Sequence, residues 1–247
     1  MRNMEKELKE LAQKLEAAAS TNLKSVVLYG SAASGEFHAK HSDLNVLCVL
    51  EDLEAPALAL LSPAAAWWAR KGHPPPLIFS LEELQRATDV FAIELLDIKA
   101  HHRVLWGQDV FASLEVPMGL HRVQVERELR TNLLRLRQHY LAAPNDNKAL
   151  LRLMTESLSS FSALFRHTLI ALGERKADPT SGVSHRKREI IDGLAKLLGF
   201  DPSGFYTVLD IREGKLQPGQ VDVPSTFHAY LRAVERVTNE VDERLRD

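Results

Sequence analysis

The segment YGSAASG at residues 29–35, followed after a short polar stretch by SDLNVL at residues 42–47, decides the fold of this 247-residue chain. The first segment ends the apolar run 25–29, and the second opens another apolar run that extends to Leu50. Short β-branched and aliphatic runs bounded by glycine are typical of buried strands that end in turns. The two segments therefore predict a strand, a Gly-Ser turn and a second strand.

The Gly-Ser turn is a candidate phosphate site. Gly30 lets a phosphate approach the backbone closely, and the backbone N–H groups and the Ser31 hydroxyl are hydrogen-bond donors. Most Gly-Ser pairs are simple turns, and it is the flanking strands that favour phosphate binding here. Gly30, Ser31 and Ser42 are the predicted phosphate-binding residues, which become nucleotide-binding residues under the family resemblance described below.

The second predicted strand carries two polar residues two positions apart. Side chains alternate along a strand, so Asp43 and Asn45 are predicted to share one face and to meet one cation. Magnesium prefers carboxylate and phosphate oxygens, so the uncharged Asn45 carbonyl weakens a site for two cations. Asp43 and Asn45 are the predicted metal ligands and candidate catalytic residues, with magnesium as the predicted cofactor.

These motifs resemble the signature of the nucleotidyltransferase superfamily that includes DNA polymerase beta and the kanamycin and streptomycin adenylyltransferases. In that family a Gly-Ser turn precedes an Asp-x-Asp strand, and Asn45 stands where the family has its second metal-binding carboxylate. The resemblance covers about the first half of the chain and is looser towards Gly107. It implies a nucleoside triphosphate ligand, ATP before others, and transfer of AMP to a small-molecule or protein acceptor.

The family's third acidic position and its base are harder to place. The streptomycin branch carries a further acid on the next strand, but the segment 75–79 has none here. In the kanamycin branch the base comes from the helical domain, where Glu126 or Glu128 is the candidate, although charges on an amphipathic helix usually form a solvated face. Two hypotheses stay open. The chain is a transferase that uses Asp43, Asn45 and Glu126, or a catalytically impaired nucleotide-binding or antitoxin-like protein-interaction module.

The hydrophobic pattern divides the chain near Pro117 and Gly119. Before this point helical patterns alternate with short apolar runs, including 77–79, and the sequence SLEE at 80–83 has the form of a helix capping box. The fold class predicted is α+β, with a small mixed-sheet nucleotidyltransferase-like domain at 1–118. An α-helical bundle domain is predicted at 119–247.

From about Leu120 onward, the apolar residues recur at helical spacing. Apolar residues at helical spacing predict two long helices over 125–140 and 150–169 and a final helix over 227–241. Another helix is predicted to begin at the cap Ser184 and to end at Gly199.

Composition limits the choice of partners and location. The formal net charge of −2 gives no bulk attraction to nucleic acid or to an anionic membrane. The single cysteine, Cys48, excludes an intramolecular disulfide and indicates a cytoplasmic protein. The most apolar stretch, 55–68, is broken by Pro63 and is shorter than the roughly 20 residues that a spanning helix needs. The expected partners are a nucleoside triphosphate, an unidentified acceptor and a second copy of the chain in a homodimer.

Several groups of histidine and arginine residues have both a functional and a structural interpretation. They can contact phosphate or metal, but solvated helix faces and helix C-termini account for most such groups. The structural interpretation is preferred for these groups, which are His38 with His41, His101 to Arg103, the cluster Arg130, Arg135, Arg137 and His139, and the run His185 to Arg188.

Overall fold

The computed structural model describes residues 2–34, 43–173, 180 and 183–245. The chain forms two compact units, Met1–Pro117 and Met118–Asp247. Each unit is described by itself below. The predicted domain boundary at residue 118 lies next to this division.

Unit 1 is an α+β domain, which confirms the predicted fold class. Its elements in chain order are α1 (Arg2–Ala19), β1 (Leu23–Tyr29), α2 (Ser31–Ser34), β2 (Asn45–Leu50), α3 (Ala55–Arg70), β3 (Leu77–Ser80), α4 (Leu81–Arg86), α5 (Ala92–Ala100) and β4 (His102–Gly107).

The four strands form one sheet in the order β3-β2-β1-β4. β1 is antiparallel to both β2 and β4, whereas β2 and β3 are parallel. The register places Tyr29 of β1 opposite Asn45 on one side and opposite His102 on the other. Paired residues of neighbouring strands share a face, so these three residues form one row across the end of the sheet.

Alternation along the strands divides the core of unit 1 into two layers. On one face Leu28 and Val46 pack with buried residues of α1 and α3, including Trp68. On the other face Val27 and Leu47 pack with leucines of α4 and α5. The row that contains Asn45 lies on the second face, under α5.

The capping box predicted at 80–83 is present at the start of α4. The Glu83 backbone N–H donates to the Ser80 hydroxyl at 3.0 Å, and the Ser80 N–H donates to the Glu83 carboxylate at 3.0 Å. Both groups satisfy donors that the first helical turn leaves unpaired. Glu83 therefore has a structural function.

In the described part of unit 2, every element of regular secondary structure is a helix. Its elements are α6 (Met118–Ala142), α7 (Asn147–Leu172), α8 (Lys187–Leu198), α9 (Ser203–Arg212) and α10 (Val223–Leu245). Apolar side chains at helical spacing form the core, and the rings of Phe205 and Tyr230 stack with centroids 4.1 Å apart. At this contact α9 and α10 approach closely. A Cβ added to Gly204 would lie only 2.4 Å from the Tyr230 backbone nitrogen.

Three details differ from the sequence predictions. First, β2 begins at Asn45 and not at Asp43, because β1 ends at Tyr29 and offers no further residue for pairing. Second, Ser184 is not the cap of α8, which begins at Lys187; the Ser184 hydroxyl instead donates to Glu189 at 2.6 Å.

Third, α9 was not predicted. Its sequence opens with Ser203 and Gly204, which are poor helix formers, and its apolar pattern is short. Phe205 is fully buried against other aromatic rings. Tertiary packing therefore stabilises a helix that the local sequence does not specify.

Candidate nucleotide site

Gly30 forms the turn between β1 and α2. Its φ of +76° lies in the left-handed region, and its carbonyl accepts a hydrogen bond from the Ala33 N–H at 2.9 Å. A Cβ at this position would lie 3.1 Å from the Asn45 Nδ2. Backbone conformation and the close side chain therefore both favour glycine here.

Asn45 is the first residue of β2 and is partly exposed. Its side chain reaches the Gly30 turn, as the close approach of Nδ2 shows. The structure thus brings together two of the residues that the sequence selected, one from the turn after β1 and one from the start of β2. Asn45 also lies on the sheet face that α5 covers.

Asp43 precedes the strand and is exposed. The residue between them, Leu44, is 1% exposed and packs in the same cluster as Val46. Alternation of buried residues therefore continues one position before β2, although backbone pairing stops at Asn45. The prediction that Asp43 and Asn45 lie on one strand is wrong, and Asp43 belongs to the segment that leads into it.

Several predicted residues are outside the part of the chain that the structure describes. These are Ser42, Gly35, His38 and His41, together with the hydroxyl group of Ser31. Their assignments stay predictions.

The two predicted metal ligands suit one magnesium ion better than two. Asp43 has one carboxylate, Asn45 has an uncharged amide oxygen, and β3 carries no acidic residue. In the described ranges no group of three or more His, Cys, Asp or Glu side chains is arranged to hold a metal. Magnesium commonly binds through one or two carboxylates together with substrate phosphates, so these residues suit an ion that arrives with a nucleotide.

His102 stands at the other end of the row that contains Asn45 and Tyr29. Its Nδ1 lies 3.0 Å from the Ile98 carbonyl at the end of α5, and its Nε2 lies 3.0 Å from the Asp109 carboxylate. Both ring nitrogens therefore contact oxygen atoms, one on the main chain of α5 and one on Asp109. His102 therefore holds the end of α5 against the sheet, in agreement with the structural interpretation of this histidine.

Two pKa shifts accompany this row. Burial raises the pKa of the Tyr29 hydroxyl. Partial burial acts to raise the pKa of Asp109, but hydrogen bonds from the Phe111 N–H, His102 and the Ala112 N–H outweigh it, and the pKa is lowered. Asp109 is thus fixed as an anion that supports His102.

Glu126, the candidate base, lies on α6 in unit 2. Its carboxylate accepts a hydrogen bond from Arg130 Nε at 2.8 Å, and Arg130 also pairs with Asp242 of α10 at 3.0 Å. This network links α6 to α10. Glu126 therefore has a structural partner, and its catalytic assignment stays a prediction.

Two further arginines of unit 2, Arg137 and Arg188, also contact acids. Arg137 pairs with Glu235 at 2.8 Å, and Arg188 pairs with both Asp210 and Glu213. These contacts join neighbouring helices of the bundle. They support the structural interpretation of Arg137 and of the basic run at 185–188.

Unit 2 contains a buried network of polar side chains that the sequence did not predict. Arg166 Nη2 lies 3.0 Å from His167 Nε2, and His167 Nδ1 lies 2.9 Å from His121 Nε2. Because arginine only donates, His167 accepts at Nε2 and donates from Nδ1 to His121, which requires both rings to be neutral. His121 lies four residues before Val125, in line with the apolar residues of α6. This position in the sequence is the one feature that could have predicted its burial.

Comparison with known proteins supports the fold. No protein-family model matches the chain, and no curated protein matches it. Among solved structures, spectinomycin adenyltransferase AAD(9) from Enterococcus faecialis with ATP and spectinomycin superposes with a TM-score of 0.54 at 12% identity, covering 92% of this chain and 98% of that one. This chain has a nucleotidyltransferase-like fold.

A second solved structure, a toxin-antitoxin with AMP-PNP, matches 42% of this chain and 80% of its own at 21% identity and a TM-score of 0.30. The nucleotidyltransferase-like fold agrees with the resemblance seen in the sequence of residues 29–47. Within the described ranges, no helix combines the length and the apolar character that crossing a membrane requires.

Proposed function

We propose that this chain binds a nucleoside triphosphate, ATP in the first instance, at the end of the sheet where Gly30 meets Asn45. The observation that carries the proposal is the left-handed Gly30 turn with the Asn45 amide against it, in a nucleotidyltransferase-like fold. A glycine turn leaves backbone N–H groups accessible to phosphate oxygens. Likeness to an adenyltransferase whose structure contains ATP supports the choice of nucleotide.

One magnesium ion is proposed to accompany the nucleotide. Asp43 would hold it through the carboxylate and Asn45 through the amide oxygen. When bound, the ion supplies positive charge that offsets the charge of the phosphates. Asn45 also orients the nucleotide at the Gly30 turn, since its Nδ2 is a donor beside that turn.

The reaction proposed is transfer of AMP to a small-molecule or protein acceptor. The acceptor hydroxyl oxygen forms a bond to the α-phosphorus, the bond to the β-phosphate oxygen breaks, and pyrophosphate leaves with the electron pair. The hydroxyl proton passes to a base, for which Glu126 is the residue proposed. Its ion pair with Arg130 gives it a structural function as well.

A second candidate function is nucleotide binding without turnover. It is favoured by a specific observation: Asn45 is uncharged, and β3 has no acid to compensate. Phosphoryl transfer depends mainly on charge stabilisation, so the loss of one carboxylate slows transfer far more than it weakens binding.

One set of measurements separates the two functions. ATP is titrated by calorimetry with and without magnesium, and pyrophosphate release is followed with aminoglycosides and proteins as acceptors. For a transferase we expect turnover that Asp43→Ala abolishes and Asn45→Asp raises at least about tenfold, a change of about 1.4 kcal/mol in the barrier. Asp89→Ala, at another exposed acid of unit 1, is the matched control and leaves both signals unchanged.

Binding with no turnover, and turnover gained only in Asn45→Asp, would identify an impaired enzyme. Absence of ATP binding in the native chain would reject both functions.

Gly30→Ala tests the location of the nucleotide. The added methyl group meets Asn45 and strains the turn, so we expect ATP affinity to fall at least about tenfold. Gly72→Ala is the matched control, because Gly72 has a φ of +88° but no atom within 4 Å of the added Cβ. Equal losses of affinity in both variants would show that backbone strain in unit 1, and not the Gly30 turn, is responsible.

A further inference from the structure

Unit 2 contains a groove between α6 and α7 to which no role has been given. It has a volume of 360 Å³ and is bounded by the last third of α6, the connection to α7 and the first half of α7. This volume lies within the roughly 300–1,000 Å³ of small-molecule pockets. The groove lies at the end of α6 remote from Met118, and its lining residues all belong to unit 2.

The floor of the groove is apolar. Leu136, Leu150 and Phe161 lie beneath it and are each at most 2% exposed, so they are already packed in the bundle core and the floor is preformed. The apolar surface that a ligand can reach is contributed by Ala143, Ala149 and Leu153, which are partly exposed. A flat apolar group placed on it would be removed from water at no cost in core packing.

The rim of the groove is positively charged. Arg135 and Arg152 line it, with Glu156 as the one carboxylate among the lining residues. Two guanidinium groups against one carboxylate leave one positive charge. Arg152 and Glu156 are 3.9 Å apart with side chains 75% and 70% exposed, so this pair is loose. In the part of the chain that the structure describes, no ion pair engages the Arg135 guanidinium.

We propose that this groove binds a small organic anion, with an apolar ring system on the floor and one carboxylate, sulfonate or phosphate group between Arg135 and Arg152. An apolar floor with a few charged groups at its margin is the usual composition of a ligand site. Guanidinium groups bind such anions by paired, charge-assisted hydrogen bonds. The site is separate from the Gly30 turn and does not depend on the proposed nucleotide binding.

The test uses the full chain and two fluorescent probes that differ in charge. These are 1-anilinonaphthalene-8-sulfonate and its uncharged analogue N-phenyl-1-naphthylamine. We expect the double variant Arg135→Glu with Arg152→Glu to weaken sulfonate binding at least tenfold while leaving binding of the neutral probe within twofold. Arg127→Glu, at an exposed arginine of α6 outside the groove, is the matched control and changes neither.

Ala142→Trp places a ring in the groove from an exposed position and should abolish binding of both probes. Saturating ATP should not displace the sulfonate, which separates this site from the proposed nucleotide site. Far-ultraviolet circular dichroism verifies that each variant is folded.

Three results would overturn the proposal: sulfonate affinity unchanged by the double charge reversal, an equal loss in Arg127→Glu, or binding that survives Ala142→Trp. A fourth contrary result would come from sedimentation of the native chain. A dimer that Ala142→Trp dissociates, with no probe bound, would show that a second copy occupies the groove.

Discussion

The end of the unit 1 sheet and the core of unit 2 place their polar groups in opposite settings. Asn45 is partly exposed beside a glycine turn, whereas His121 and His167 are fully buried and Arg166 is 3% exposed. Polar groups at the open end of a sheet are available to a ligand. Polar groups inside a helical bundle contact one another, and they contribute to the structure of the bundle. Chemical type alone does not distinguish a ligand site from a structural network; exposure does.

The two units can be followed separately because all three tryptophans, Trp67, Trp68 and Trp106, belong to unit 1. Tryptophan fluorescence therefore reports unfolding of unit 1. Helical circular dichroism at 222 nm is dominated by the long helices of unit 2. Comparing the two signals tests whether a change acts on one unit alone.

The largest effect is expected from Gly204→Ala in unit 2. The added Cβ would lie 2.4 Å from a backbone nitrogen of α10, so the two helices must separate. We expect a loss of about 3 kcal/mol in the free energy of unfolding, seen by circular dichroism in urea, with the fluorescence transition retained. Gly119→Ala, also near the start of a helix but with no atom within 4 Å, is the control. Equal shifts in both signals would show that the units unfold as one.

The next effect is the pH dependence of unit 2. Burial first, and then electrostatic interaction with His167 and Arg122, lowers the pKa of His121 from 6.5 to about 3. Between these values the unfolded chain binds a proton that the folded chain excludes, so stability falls as pH falls. We expect a loss of about 2 to 3 kcal/mol between pH 7 and pH 4.5 in the circular dichroism transition.

His121→Asn should flatten this pH dependence, while His228→Asn, at an exposed histidine of the same unit, should leave it unchanged. If both variants keep the native slope, the His121 network does not govern the acid sensitivity of unit 2.

The smallest effect is expected in unit 1, from Ser80→Ala. The change removes the hydroxyl that accepts from the Glu83 N–H, one of the two hydrogen bonds of the capping box, at a partly exposed helix start. We expect a cost of about 1 kcal/mol in the fluorescence transition, with no change attributable to unit 2. Ser62→Ala, at an exposed serine of α3, is the matched control. A cost as large as that of Gly204→Ala would contradict the view that unit 1 is held mainly by its two-layer core.

Local patterns predicted most of the fold because each depends on neighbours in sequence. An apolar run closed by Gly30 located β1, a second apolar run located β2, and the SLEE motif located the start of α4. The errors arose where partners distant in sequence decide the outcome. α9 is helical because Phe205 packs against Tyr230, and β2 starts at Asn45 because β1 has no later residue to pair with it.

The candidate site follows the same division. Sequence alone determined that a glycine turn follows one buried strand, and that the next strand opens with an uncharged amide, Asn45, two positions after the carboxylate of Asp43. These facts concern residue type and short spacing. Only the tertiary structure decided that Asn45 touches the Gly30 turn, that His102 holds α5 at the same end of the sheet, and that His121 is buried with His167. Strand register and helix packing fix these contacts, and both arise from interactions between segments far apart in the chain.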